Sequence, residues 1–189
     1  MIQLNLGGYP MEPVTVVPWN SMWKQQFCKR AQEIREHLGS TALRIDHIGS
    51  TSVPNLAAKP IIDIQISVAS LTPEDAYRDI LEQLSYVYLP ENPDRTKRFF
   101  MRHDEPKVNL HVRVLGSWHQ QFPLLFRDYL RTHPDACRMY AAEKVILART
   151  YRHDRGAYCE AKDPIFWKIQ YQADRWASQT GWEAGPSDA

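Results

Sequence analysis

Apolar residues recur at period two between residues 61 and 68, where Ile62, Ile64, Ile66 and Val68 alternate with Asp63, Gln65 and Ser67. This predicts a strand over Ile61 to Val68 with one apolar and one polar face. The alternation returns over Val108 to Val114, where Asn109, His111 and Arg113 share the polar side. Shorter strands are read at Val14 to Val17, Leu43 to Ile48, Tyr86 to Leu89 and Lys97 to Arg102, the last with Arg98, Phe100 and Arg102 on one face. Elsewhere the period becomes helical. Asn20 is placed to cap a helix whose stripe is Trp23, Phe27, Ala31, Ile34 and Leu38, and Thr72-Pro73 opens a helix ending near Leu84. Three more helices are expected over about Gln120 to Thr132, from Pro134 to about Tyr151, and from Asp163-Pro164 onward along Ile165, Ile169 and Trp176. Arg152 to Lys162 reads as a charged, partly irregular connection. No repeat or linker divides the chain, so residues 1–178 are expected to form one domain in which the helical half packs on the sheet half. Residues 179–189, with Gly181, Gly185, Pro186 and Ser187, read as a flexible tail with little to bury.

Composition narrows the class without changing that layout. The chain has 189 residues, 43% hydrophobic and 24% charged, which is ordinary for a globular domain with one substantial core. A formal net charge of +1 argues against a broad nucleic-acid-binding or membrane-binding surface, so any basic patch must be local. Cys28, Cys137 and Cys159 are odd in number, widely spaced and form no C-x-x-C, which suggests neither a disulfide framework nor a zinc cluster and fits a reducing cytoplasm. Met1 to Met11 lacks a basic region followed by an apolar run, and no stretch reaches the roughly 18 apolar residues of a membrane span. A soluble, unexported, cytoplasmic protein is expected.

The candidate chemistry lies between His47 and Ile66. A strand end leads into Gly49-Ser50-Thr51-Ser52, a turn whose amides and hydroxyls suit an anion, and Lys59-Pro60 then opens the strand bearing Asp63. The stretch is not a P-loop, because Ala58 rather than Gly precedes Lys59 and Pro60 rather than a hydroxyl residue follows it. Ser50 and Thr51 are expected to point into a cleft that Asp63 faces. The competing reading of Asp63 is a carboxylate that merely satisfies nearby turn amides.

The run H-I-G-S-T-S-V-P-N-L-A-A-K-P-I-I-D-I resembles the signature of the GrpB (UPF0157) family. Asn109-Leu110-His111-Val112, the block from Phe126-Arg127-Asp128-Tyr129-Leu130 to Pro134, and Tyr140 to Lys144 with Tyr158 to Asp163 extend the likeness over about Val14 to Trp176. The resemblance implies an α+β fold, a nucleotidyltransferase-like mixed sheet packed with helices and followed by a helical half. It also implies a site like that of polymerase-beta-type enzymes, whose carboxylates on adjacent strands hold paired metals. Here Asp63 stands in the first position, but Gln65 replaces the second acid and His111 stands on the later strand. Asp63 and His111 are therefore the expected catalytic pair, and with Gln65 they could hold one divalent cation, magnesium or manganese, although imidazole favours manganese or zinc over magnesium. The carboxylate is expected to raise the pKa of His111.

Gly49, Ser50, Thr51, Lys59, Arg102, Arg127, Lys144 and Lys162 are the expected phosphate contacts, with Arg98 a further cation and His47 at the margin. Arg127, between apolar neighbours in the F-R-D-Y-L motif, is expected to reach the same cleft. Tyr140 and Tyr158 either stack a base or pack. The leading expectation is a protein that binds a nucleotide or another phosphorylated small molecule, with nucleotidyl transfer as its candidate chemistry and catalysis left open by Gln65. A non-catalytic nucleotide- or phosphate-binding module is the first alternative. A chaperone-like interaction protein is the second, its docking patch supplied by tryptophans such as Trp118, Trp167, Trp176 and Trp182.

Overall fold

The structure, a computed structural model, describes residues 13–189. The reading of Met1 to Met11, and the first twelve residues of the expected domain, lie outside the described residues.

The alternating strand at the centre, β2 (Ile62–Val68), forms because its four aliphatic residues can be buried only if all point one way. They meet the apolar stripe of α1 (Met22–Leu38), whose Trp23, Phe27, Ala31, Ile34 and Leu38 are all buried against the sheet. Each large side chain so buried contributes on the order of 1.5–3 kcal/mol. Around β2 lie β1 (Arg44–Ile48), β3 (Val87–Tyr88), β4 (Arg98–Arg102) and β5 (Val108–Val114), in the order β1-β2-β5-β4-β3. The β2/β5 pair is parallel and the other pairs are antiparallel. A short helix, α2 (Arg78–Gln83), adds Leu81 to the same core.

The opposite sheet face carries the polar sets, and the register aligns them: Asp63 with Asn109, Gln65 with His111, Ser67 with Arg113. Over it lies the helical half, α3 (Trp118–Thr132), α4 (Pro134–Thr150), α5 (Arg155–Ala161) and α6 (Asp163–Thr180), built around its own cluster that includes Leu130, Tyr140 and Ile169. This is the expected α+β architecture of a mixed sheet with a helical C-terminal half. Among the described residues no helix is long and apolar enough to cross a membrane.

Several boundaries differ from the expectations. Val14 to Val17 is not a strand of the sheet; it makes one bridge, Val17 with Ala58. The expected irregular connection is mostly α5, because Asp154 accepts a capping bond from the Ala157 amide at 2.9 Å. The tail is corrected more fully. Gly181, at φ 64°, ends α6 and turns the chain back, and residues beyond it lie against the free edge of β1. Ser187 Oγ accepts from the Ile45 amide at 2.8 Å, Ala189 donates to the Ile45 carbonyl at 3.1 Å, and Asp188 Oδ2 accepts from the His47 amide at 2.9 Å. An unpaired strand edge offers such donors and acceptors. Trp182 joins the helical cluster and donates to Asp128 at 3.3 Å.

Arg127 explains why the tail stays. Its guanidinium, 4% exposed, donates to Asp188 at 2.8 Å, to Asp128 at 2.7 Å and to the His47 carbonyl at 3.1 Å. Asp188→Asn therefore weakens one charge-assisted bond to a buried cation, and a loss of about 1.5–3 kcal/mol is expected. Chemical denaturation checks this; an unchanged midpoint would show that the tail contributes nothing to the fold.

Candidate functional site

Gly49 is where the site begins. Its backbone, at φ 68° and ψ −171°, occupies a region closed to side chains, and a Cβ there would lie 3.0 Å from Cβ and Cγ of Asp63 and closer still to Oδ2. Glycine thus lets the turn close directly on the carboxylate. The following turn, Ser50–Ser52, is tied down from α3: Arg131 donates twice to the Ser52 carbonyl, at 3.1 and 2.9 Å. Its hydroxyls do not act together. Thr51 is buried, meets His47 Nε2 at 3.0 Å and donates to the Ile61 carbonyl at 3.4 Å, while Ser52 donates to the Gly49 carbonyl at 2.6 Å. Ser50 alone turns outward to accept from Lys144 Nζ at 2.9 Å. The expectation that Thr51 faces the ligand is therefore corrected.

Asp63 lies on the floor, its side chain 27% exposed. Asn109 donates to its Oδ1 at 3.0 Å, and His111 Nε2 lies 3.7 Å from the same oxygen. Burial works to raise the carboxyl's pKa, but His111, Asn109 and Lys59 outweigh it and hold the group ionised below its ordinary value. His111 moves opposite to expectation. Burial lowers its pKa, Lys97 and Arg113 add to that, and Asp63 compensates only in part, so the protonated ring is disfavoured. His47 is a core residue stacked on Phe27 with ring centroids 4.7 Å apart, and burial pushes it down to about 4.

Lysines gather around this floor. Lys59, Lys97 and Lys144 each feel the charge of Asp63, and Lys162 lies beside Lys59 and Lys144. Each ammonium stands over an aromatic face. Lys144 is 4.6 Å from the Tyr140 ring centre, Lys97 5.0 Å from Phe99, and Lys59 and Lys162 are 5.5 and 5.2 Å from Tyr158. Tyr140 and Tyr158 are thus buried props rather than exposed stacking platforms. A ring holds a cation without cancelling its charge. Lys97 also pairs with Asp94 at 3.6 Å, whereas Lys59, Lys144 and Lys162 form no ion pair among the described residues. Lys144 is 3% exposed, and burial first, then Lys162, brings its pKa down to about 7.

Four expected site residues lie elsewhere. Arg102 shares a face with Phe100, which is buried in the α1 core, so it sits on the far side of the sheet, donating to Asp104, Glu33 and the Leu84 carbonyl. Arg98 shares that face and pairs with Glu74. Arg127 has no bond to Asp63; its partners are the tail, Asp128 and β1. Gln65 is fully buried beneath α3 and donates to the Gln120 carbonyl at 3.0 Å.

For a divalent cation the residues do not fit. Among the described residues Asp63 is the one carboxylate carried by β2 or β5. Two others border this face: Asp46 is fully buried and held by two bonds from Arg44, at 3.0 and 2.8 Å, and Asp94 is taken by Thr96, Lys97 and Arg113. Among the described residues no group of three His, Cys, Asp or Glu side chains is gathered as metal ligands, and the surrounding lysines repel a second cation. The same charge suits an anion with several oxygens.

Lys97, Asn109 and Arg113 complete the site and were not among the expected contacts. Strand parity could have found Lys97: once Phe100 is assigned to the core, Lys97 and Phe99 must face the other way, beside His111.

Comparison with known proteins agrees with the motif reading. The profile described as GrpB protein matches residues 13–172. A UPF0157 protein of Pseudomonas aeruginosa is 41% identical over 163 residues, covering 82% of this chain and 66% of that protein. A dephospho-CoA kinase of Mycolicibacterium paratuberculosis is 34% identical over 197 residues, covering 90% of this chain but 48% of the kinase. The chain thus spans about half of that relative, and of the UPF0157 protein YqkA of Bacillus subtilis, where the share is 49%. The crystal structure of conserved protein GrpB from Enterococcus faecalis superposes with a TM-score of 0.78 at 31% identity, covering 86% of this chain and 99% of that one.

Proposed function

The chain belongs to the GrpB family, and from that premise we propose that it binds a nucleotide or another phosphorylated small molecule in the cleft over Asp63. The observation that carries this reading is the set of lysines held on aromatic faces with little acidic compensation, Lys144 buried and Lys59 and Lys162 partly so. Desolvated cations without counterions cost stability, so their persistence points to an anion that completes them. Ser50, Lys144, Lys59 and Lys162 would hold phosphate oxygens from the helical side and Lys97 from the sheet, while Asp63 and Asn109 would accept and donate to a hydroxyl. Binding is favoured over nucleotidyl transfer because Asp63 with the imidazole of His111 and the buried amide of Gln65 does not supply the acidic set that paired-metal chemistry requires.

A thermal-shift screen tests this with nucleoside triphosphates, CoA-type metabolites and sugar phosphates, each with and without manganese. A native-state ligand raises the melting temperature, so at least one phosphorylated class is expected to do so without metal. No shift from any of them would end the proposal.

The reading also fixes a pH response. Lys144 is largely charged at pH 6 and largely neutral at pH 8.5, given its value of about 7. An anion favours the charged form, so affinity is expected to fall across that window, by up to about tenfold per unit when one proton is linked. Titrations in buffers of different ionisation heat should show proton uptake on binding near pH 7.5. The ligand-free protein should respond oppositely. Its folded-state pKa lies below the ordinary 10.5, so the unfolded chain binds more protons between the two values, and Lys144's contribution to stability rises with pH there.

A further inference from the structure

We infer that an aromatic wall beside the lysine cluster is a subsite for a flat heterocyclic base, so that the phosphorylated ligand is a nucleotide. This rests on the phosphate reading above and narrows it. The wall starts at two of the lysines. Tyr140, the ring beneath Lys144, meets Phe126 edge to face at 5.6 Å, and Phe126 lies 4.6 Å from Phe166. Phe166 is one turn beyond Lys162, its amide bonded to the Lys162 carbonyl at 3.0 Å. From there the rings continue outward, Phe166 to Phe122 at 5.7 Å and to Trp167 at 5.4 Å, and Phe122 to Trp118 at 4.6 Å.

Exposure rises along the same path. Tyr140 is 4% exposed, Phe126, Phe166 and Phe122 are half-buried, and Trp167 and Trp118 are 54% and 62% exposed. Packing accounts for the inner rings but not for two indoles left in water, where each forgoes burial free energy of its own. What continuity with the lysines adds is charge complementarity. A ligand with several negative charges and one flat apolar ring satisfies both ends of the surface at once, whereas a sugar phosphate or inorganic phosphate leaves the rings wet. Aromatic faces beside cations are the combination that holds base and phosphate together without reading sequence.

Calorimetric titration of the full chain with adenosine or guanosine triphosphate, against inorganic tripolyphosphate, tests this directly. The nucleotides are expected to bind at least about fivefold tighter, the lower end for one base–aromatic stack, and to quench tryptophan fluorescence where tripolyphosphate does not. Phe122→Leu and Phe166→Leu, which keep an apolar side chain, should each lower nucleotide affinity toward that of tripolyphosphate and leave tripolyphosphate unchanged. Equal affinity of the two probes for the unaltered protein, a comparison that needs no variant, would overturn the subsite while leaving the phosphate reading standing. Variants that weaken both probes alike would overturn it too. Failure of both probes to bind would overturn this inference, and the phosphate reading falls with it only where CoA-type metabolites and sugar phosphates also leave the melting temperature unchanged.

Discussion

Gly49→Ala is expected to lower stability by about 3 kcal/mol or more and to dismantle the candidate site. Two costs add. An alanine at φ 68° and ψ −171° carries backbone strain of about 1–3 kcal/mol. Its methyl group would also stand inside contact distance of Asp63 Oδ2, and overpacking of this kind costs about 1–3 kcal/mol more. Neither partner can yield easily, because Asp63 is held by Asn109 and the turn by Arg131 from α3. For a chain of this size the change corresponds to roughly 6–12 °C in melting temperature. Calorimetry measures it, and a variant that melts within 2 °C of its parent would mean that the turn has room to shift.

Lys144→Met is expected to move stability and binding in opposite directions. The ammonium is buried, has only the Ser50 hydroxyl as a hydrogen-bond partner among the described residues, and is pressed by Lys59 and Lys162. Methionine keeps the length of the stem and removes the charge. Replacing a poorly compensated buried ion with an apolar group is often stabilising, by about 1 kcal/mol or more, so the variant should melt at a higher temperature at pH 7. Anion binding should weaken by roughly 30-fold, taking about 2 kcal/mol for a lost charge-assisted bond. If Lys144 were instead a structural residue, both stability and binding would fall together.

Much of this site was legible as a pattern, and the rest depended on what lay across from it. The period-two runs at Ile62 and Val108 assign one face to aliphatic and one to polar residues without further information, and the register then aligns Asp63 with Asn109. The G-S-T-S turn was readable as a place where glycine and hydroxyls serve an anion. Which hydroxyl remained free was not, because Thr51 is claimed by His47 and by the Ile61 carbonyl, neither of them predictable from the turn itself. Arg127 shows the same limit. Its apolar neighbours marked a buried cation correctly, but its partners beyond Asp128 are the His47 carbonyl and Asp188, the latter in a segment whose composition suggested fraying. The pKa of His111 failed for a related reason: Asp63 was visible as its neighbour, whereas burial and Lys97 were not. Arg102 was a different failure, since pairing it with Phe100 already placed it on the core side.

The most direct measurement is calorimetric titration of a nucleoside triphosphate into the parent protein and into Lys144→Met, at pH 6.5 and low salt, alongside their melting temperatures. One-to-one binding by the parent, lost or weakened at least tenfold in a variant that melts no lower, is the predicted result. Binding of equal strength to both proteins, or none to the parent, would contradict a nucleotide site built from these lysines.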